Sequence, residues 1–301
     1  MENTKFAYLE TRGVIRIAGD DARTFLQGLI SNDVDKVSES RAVYAAFLTP
    51  QGKYLFDFFV AQGPDGPNDL LLDCEASRFD DFLKRLKLYK LRAKVTLSDA
   101  RTELKVAAIF DEDAADTLGL AKDAGAAATL GGGVAFVDPR LADAGVRVIL
   151  PAGSNALDEL TQATTDDYDR HRLALGLPDG SADIEVEKAT LLESGFEDLN
   201  GVDFNKGCYM GQELTARTKY RGLVKKRLMP VTLDGPLPAP GTEITIDGRN
   251  AGEIRSGRDE HAIALLRLDA VEKANAGDRL TAGSTTVVPD TPDWMNLPEP
   301  V

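Results

Sequence analysis

Asn205-Lys206-Gly207-Cys208-Tyr209-Met210-Gly211-Gln212-Glu213 stands apart from the rest of this 301-residue chain. A lone cysteine is ordinarily a small buried hydrophobe, but here a lysine precedes it and an amide and a carboxylate follow. Those neighbours point to a functional thiol at Cys208. Gly207 and Gly211 flank it, so the backbone is free to take φ > 0 or to pass close to a ligand. Lys206 is expected to lower the thiol pKa through its charge. The only other cysteine is Cys74, far away in the chain. That count excludes a disulfide framework, a CxxC pair and a four-thiolate metal site. Two histidines, His171 and His261, cannot build a three-histidine zinc site, and no HExxH occurs.

Upstream of this stretch, short β-like runs alternate with helical patterns. Val14-Ile15-Arg16-Ile17 reads as a strand, and a helix begins at Asp20-Asp21. Tyr54 to Val60 and Asp69 to Leu72 read as a hairpin around the turn Gly63-Pro64-Asp65-Gly66-Pro67-Asn68. Phe79, Phe82, Leu83 and Leu86 fall at i, i+3, i+4 and i+7, which predicts an amphipathic helix with a core-facing stripe. Leu104 to Phe110 and Val146 to Leu150 are further strands, and Leu157 to Leu160 is expected in a helix capped by Ser154 or Asn155. The Ala/Gly segment 124–133 reads as a loop or a weakly packed helix end. Cys74, after Leu70-Leu71-Leu72, is expected to be buried, and His171 to lie on a charged surface.

Downstream, the pattern changes to Leu228–Leu233, Glu243–Ile246, Ala251–Ser256, His261–Leu268 and Thr285–Val288, short strands punctuated by Gly and Pro. Such spacing predicts a small β-barrel or sandwich beginning near Arg227. Trp294 is expected to anchor the Pro-rich tail. The whole reads as a mixed α+β protein.

Charge adds an independent signal. With 35 Lys and Arg against 49 Asp and Glu, the chain carries −14, which works against nonspecific attraction to nucleic acid or an anionic membrane. Yet twelve of those cations fall in two acid-free runs: Lys84, Arg85, Lys87, Lys90, Arg92 and Lys94, then Arg217, Lys219, Arg221, Lys225, Lys226 and Arg227. One run directly follows the cysteine stretch, so an anionic ligand is the natural inference. A polycarboxylate chain fits, and so do RNA phosphates. The longest uncharged stretch, 124–137, is shorter than the roughly 20 apolar residues of a membrane span. Met1-Glu2-Asn3-Thr4-Lys5-Phe6 has no basic start and apolar run, so no secretory signal is read and the expected location is cytoplasmic.

Lys206-Gly207-Cys208-Tyr209-x-Gly211-Gln212-Glu213, followed by Ala216-Arg217 and Tyr220-Arg221-Gly222, resembles the signature of the YgfZ family, bacterial relatives of a mitochondrial iron–sulfur assembly factor. Phe25-Leu26-Gln27-Gly28 with Asn32-Asp33, Thr49-Pro50-Gln51-Gly52-Lys53 and Leu91-Arg92-Ala93-Lys94-Val95 resemble that family's N-terminal segments. The resemblance therefore covers most of the chain. It implies a fold like that of the glycine-cleavage T-protein: two partly interleaved α/β lobes in a body over 1–227, and a C-terminal β-barrel over 228–301. It also implies a protein that binds tetrahydrofolate, with its polyglutamate tail, and helps assemble or repair iron–sulfur clusters in client enzymes. Cys208 and Lys206 would be the active pair, with Gly207, Tyr209, Gly211, Gln212, Glu213, Arg217 and Asp57 contacting the cofactor. Partners would be clients or the assembly machinery, and the family's link with tRNA modification makes an RNA contact the further alternative.

Two departures bear on the remaining alternative, a tetrahydrofolate-dependent aminomethyltransferase. The T-protein's pterin-binding glutamate falls at Ala174 in Arg172-Leu173-Ala174-Leu175-Gly176, and its paired aspartates reduce to Asp57. That reaction needs an acid/base group beside the folate nitrogen, so these changes favour an assembly factor over the enzyme.

Overall fold

The chain lays one strand, Lys5–Tyr8, into a sheet that it leaves at once and rejoins only at Leu104–Phe110. The computed structural model describes residues 4–111 and 113–297; Met1-Glu2-Asn3, read above for a secretory signal, lie outside the described residues. In between, the chain builds a five-stranded antiparallel sheet in the order Val43–Leu48, Tyr54–Gln62, Asp69–Glu75, Arg12–Ala18, Thr96–Asp99. The first sheet then closes as Thr161–Gln162, Lys5–Tyr8, Leu104–Phe110, Val146–Pro151, Gly133–Val137 and Ala127–Leu130. This excursion and return is the interleaving of the two lobes. Six strands from Lys226–Asp234 to Thr285–Pro289 form a closed barrel, which leaves no unpaired sheet edge.

The predicted hairpin forms around the expected turn, with Gln62 opposite Leu70. Every residue of Tyr54–Gln62 is buried, because one face of the sheet meets the helix Phe79–Tyr89 and the other meets the second lobe. Phe79, Phe82, Leu83 and Leu86 are the buried stripe of that helix, and Phe82 stacks on Phe56 at 4.5 Å. Two expectations fail. The 124–133 segment is half of a hairpin, Ala127–Leu130 paired with Gly133–Val137. Gly131 and Gly132 turn it with φ of 54° and 84°, a two-residue loop that requires left-handed backbone. Residues 156–160 make turns and a bend and no helix, although Leu157 is buried against the first sheet with Ala156 and Leu160 beside it, since so short a segment does not repay helix nucleation.

Cys74 is buried as expected, and the Trp294 indole donates to Leu175 O at 2.9 Å, tying down the tail. His171 is half-buried against Phe110, with Nε2 3.1 Å from Asp143 O, so it is not a freely solvated surface histidine.

Candidate functional site

Residues 203–212 form a loop held from both sides by chain more than 150 positions earlier. Asp203 caps its start, accepting from Asn205 N at 2.7 Å and Lys206 N at 3.2 Å. Burial works to raise the Asp203 carboxyl, but Lys36 Nζ at 2.7 Å and these backbone donors hold it below the usual carboxylate range. Lys206 then turns inward. Its Nζ donates to Gln27 O at 2.9 Å, Ile30 O at 2.8 Å and Asn32 O at 2.6 Å. Burial pulls this ammonium down to about 8, against the nearby charges of Asp33, Asp203 and Asp35. All three of its protons are given to carbonyls, so Lys206 positions the loop and has no N–H to offer the thiol.

Beyond the thiol, Met210 N donates to Gly28 O at 3.0 Å, and its side chain packs into the core beneath the helix Ala22–Gln27. Gly211 has φ of 82°, and a Cβ there would lie 2.6 Å from Thr49 O and 2.9 Å from Gly52 Cα. Gly52 returns the constraint: its own added Cβ would lie 2.6 Å from Gly211 O. Two glycines from the two halves of the chain thus let the 49–53 turn close onto the cysteine loop. Gly207, by contrast, has open space around it. Gln212 begins the helix Gln212–Tyr220, where Glu213 and Arg217 face solvent. Tyr209 is buried, which pushes its hydroxyl up to about 12. Between these anchors Cys208 is exposed. The segments 25–28, 32–33 and 49–53 all converge on this loop.

Asp57 is absent from it. It is buried in a polar centre between the lobes, accepting from Tyr54 OH at 2.6 Å and Tyr44 OH at 2.9 Å. Burial raises its carboxyl above the ordinary range despite Arg12 nearby. Around it runs a network the sequence reading missed. Asp73 in one lobe accepts from Arg12 Nε at 2.6 Å and from Arg147 Nη1 of the other lobe at 2.9 Å. Arg147 also meets Asp138, which Arg140 grips through two nitrogens at 3.0 and 2.9 Å. The Phe59 ring lies 4.0 Å from the Arg147 guanidinium. The available signal was a charged residue inside an apolar strand: Asp73 after three leucines, Arg147 between Val146 and Val148. Ala174, where the T-protein pattern has its glutamate, is exposed at the end of the helix Thr165–Ala174. A carboxylate there would face solvent.

One small cavity reaches Tyr44, a hydroxyl donor to Asp57. It measures ≈ 180 Å³ and is lined by Asn32, Lys36, Arg41, Tyr44 and Asn200, among others. Among the described residues no cluster of three or more metal-ligating side chains occurs, and no helix is long and apolar enough to cross a membrane.

Interleaved lobes around a buried polar centre, closed by a six-stranded barrel, are the glycine-cleavage T-protein fold. Aminomethyltransferase T of the glycine cleavage system from Bartonella henselae superposes with a TM-score of 0.73 over 97% of this chain and 86% of that one, at 13% identity. Residues 225–297 match the family described as CAF17, C-terminal beta-barrel domain. The mitochondrial iron–sulfur cluster assembly factor IBA57 of Mus musculus is 35% identical, covering 94% of this chain and 84% of its own length. The Homo sapiens protein of the same name is also 35% identical, over 95% and 84%. The chain belongs to the IBA57 family. These relatives are mitochondrial by name, which overturns the cytoplasmic expectation.

Proposed function

We propose that this chain serves the assembly of iron–sulfur clusters, with Cys208 as the group that meets the cluster or the protein carrying it. The observation that carries this reading is an exposed thiol on a loop pinned by buried contacts, in a chain whose other thiol is buried. The relatives' name as assembly factors supports it. One thiolate supplies one of the usual four protein ligands of a cluster, so the remaining ligands must come from a partner, and the cluster is cargo. Cys208→Ala and Cys208→Ser test this in cells lacking the chain: client iron–sulfur enzyme activity is expected to fall while melting temperature is unchanged. Full client activity with either variant would sink the role of the thiol.

A second reading concerns tetrahydrofolate. The ≈ 180 Å³ cavity is below the roughly 300–1,000 Å³ of common small-molecule pockets, so it suits the pterin end of a folate with the remainder outside. Lys36 and Arg41 among the lining residues carry the positive charge suited to the tail carboxylates. A bound tetrahydrofolate would supply a one-carbon acceptor. Anaerobic titration calorimetry with tetrahydrofolate tests it: saturable binding weakened by Arg41→Ala is expected, and no binding to the wild type refutes it. Turnover of an aminomethyl donor would favour the enzyme reading, and binding of tRNA that falls steeply with salt the RNA reading.

A further inference from the structure

Seven large apolar side chains are exposed among the described residues, and five of them stand in the two basic runs. Leu88, Tyr89 and Leu91 belong to the first, Tyr220 and Leu223 to the second. The first group is built with care. Leu88 is 67% and Leu91 88% exposed, and Leu91 has φ of 44°, left-handed backbone that leucine rarely adopts. Glycine or asparagine would hold the same turn without strain. The turn is nevertheless fixed, since Ala93 N donates to Lys90 O at 2.8 Å and Lys94 N donates to Asp21 Oδ2 at 2.7 Å. A strained backbone that presents a leucine to water weakens the isolated chain, which is the expected cost of a contact made with something else.

Charge indicates what that is. Lys84, Lys87, Arg92 and Lys94 are exposed around these side chains, in a protein of net charge −14. The place of the patch is equally informative. The helix Ala22–Gln27, roughly 9 Å long at 1.5 Å per residue, lies between the two regions. Asp21 at its start binds Lys94, and Gln27 and Gly28 at its end bind Lys206 and Met210. A body seated on Leu88–Lys94 therefore reaches toward Cys208.

We propose that Leu88, Tyr89 and Leu91, ringed by Lys84, Lys87, Arg92 and Lys94, form the docking surface for an acidic protein partner that carries its own cluster-binding thiolates. This rests on the assembly reading and adds the surface through which that reading operates. A compact protein suits the patch better than an anionic membrane, because screening confines its encounter to charges within about 10 Å of the patch, whereas an extended charged plane also faces the acidic remainder of the chain.

The probe is an acidic iron–sulfur carrier protein of the same cell, apo and cluster-loaded, titrated into the full chain at low and high salt. The wild type is expected to bind, more weakly at high salt. Leu88→Ala with Leu91→Ala, and Lys87→Glu with Arg92→Glu, should each weaken binding about tenfold or more. Leu91→Gly separates contact from folding: its melting temperature should equal or exceed that of the wild type while binding weakens. No binding by the wild type, or unchanged affinity in these variants, overturns the proposal. So does loss of anionic-vesicle or RNA binding in place of carrier binding, or a wild-type dimer that Leu91→Gly dissociates. Cys208→Ala distinguishes the two layers. If its client activity is normal, the assembly reading fails; if that activity is lost while the surface variants bind and complement fully, only the docking surface fails.

Discussion

Lys206→Met keeps the length of the side chain and removes the ammonium, so it tests whether this lysine builds the site or serves the thiol. Its Nζ makes three hydrogen bonds of 2.6 to 2.9 Å to carbonyls of residues 27, 30 and 32. Hydrogen bonds from a charged group contribute roughly 1.5–3 kcal/mol each, or about 5–9 gross. The desolvation that draws this ammonium down to about 8 opposes part of that gain, and the net loss expected is about 3 kcal/mol. At roughly 2–4 °C per kcal/mol for a body of this size, melting should fall by about 6–12 °C. Alkylation of Cys208 by iodoacetamide supplies the second readout. A loosened loop leaves its rate unchanged or raised. An unchanged melting temperature together with slowed alkylation would refute this construction and restore the lysine as the thiol's electrostatic partner.

The neighbouring glycines make a paired test. Gly211→Ala places a Cβ 2.6 Å from Thr49 O at φ 82° and should cost about 2 kcal/mol, whereas Gly207→Ala enters open space and should change stability by less than about 0.5 kcal/mol; equal melting temperatures would show that the 49–53 turn does not define the loop. Asp138→Asn leaves Arg140 and Arg147 short of a buried counter-charge and should cost about 3–5 kcal/mol in urea unfolding at neutral pH. Burial works to raise Asp138, and Arg140 and Arg147 overcome it, so its carboxyl sits below 3.8. Its stabilisation is therefore complete above 3.8 and is lost as pH falls through the lowered value, and a wild-type advantage that disappears already between pH 7 and 5 would contradict that direction.

Legibility in the sequence followed the range of the forces involved. The stripe of the 79–89 helix, the 54–75 hairpin and the barrel strands were readable because short periodicity sets them. The interleaving of the lobes was invisible as a pattern, since Lys5–Tyr8 finds its neighbours at 104–110 and 161–162. It was expected only through the resemblance. Within the site, Cys208 stood out by its neighbours, but nothing local indicates that carbonyls of residues 27, 30 and 32 gather around Lys206. The burial of Asp57 was hidden for a similar reason. A strand buried on both faces shows no alternation by which to sort its polar residue, and the partners that hold it inside, Tyr44 and Tyr54, are themselves ordinary strand residues.

The contrast between the two polar regions bears on where any chemistry takes place. The centre is a closed set of bonds: Asp57, Asp73 and Asp138 each accept from two residues, and disturbing one partner leaves another buried charge uncompensated. Such a network fixes the two lobes relative to each other. Cys208 has the opposite setting, open to solvent, with the nearest thiol in sequence, Cys74, buried against Gly13 O at 3.5 Å. A resident cluster needs several ligands converging on it, and this loop offers one. What the loop does have is order: Asp203, Lys206, Met210 and Gly211 fix it before anything binds. Ordering spent during folding is not spent again on encounter. A rigid, exposed, single thiol is therefore suited to a brief ligand exchange with a protein that brings the other ligands, and poorly suited to storage.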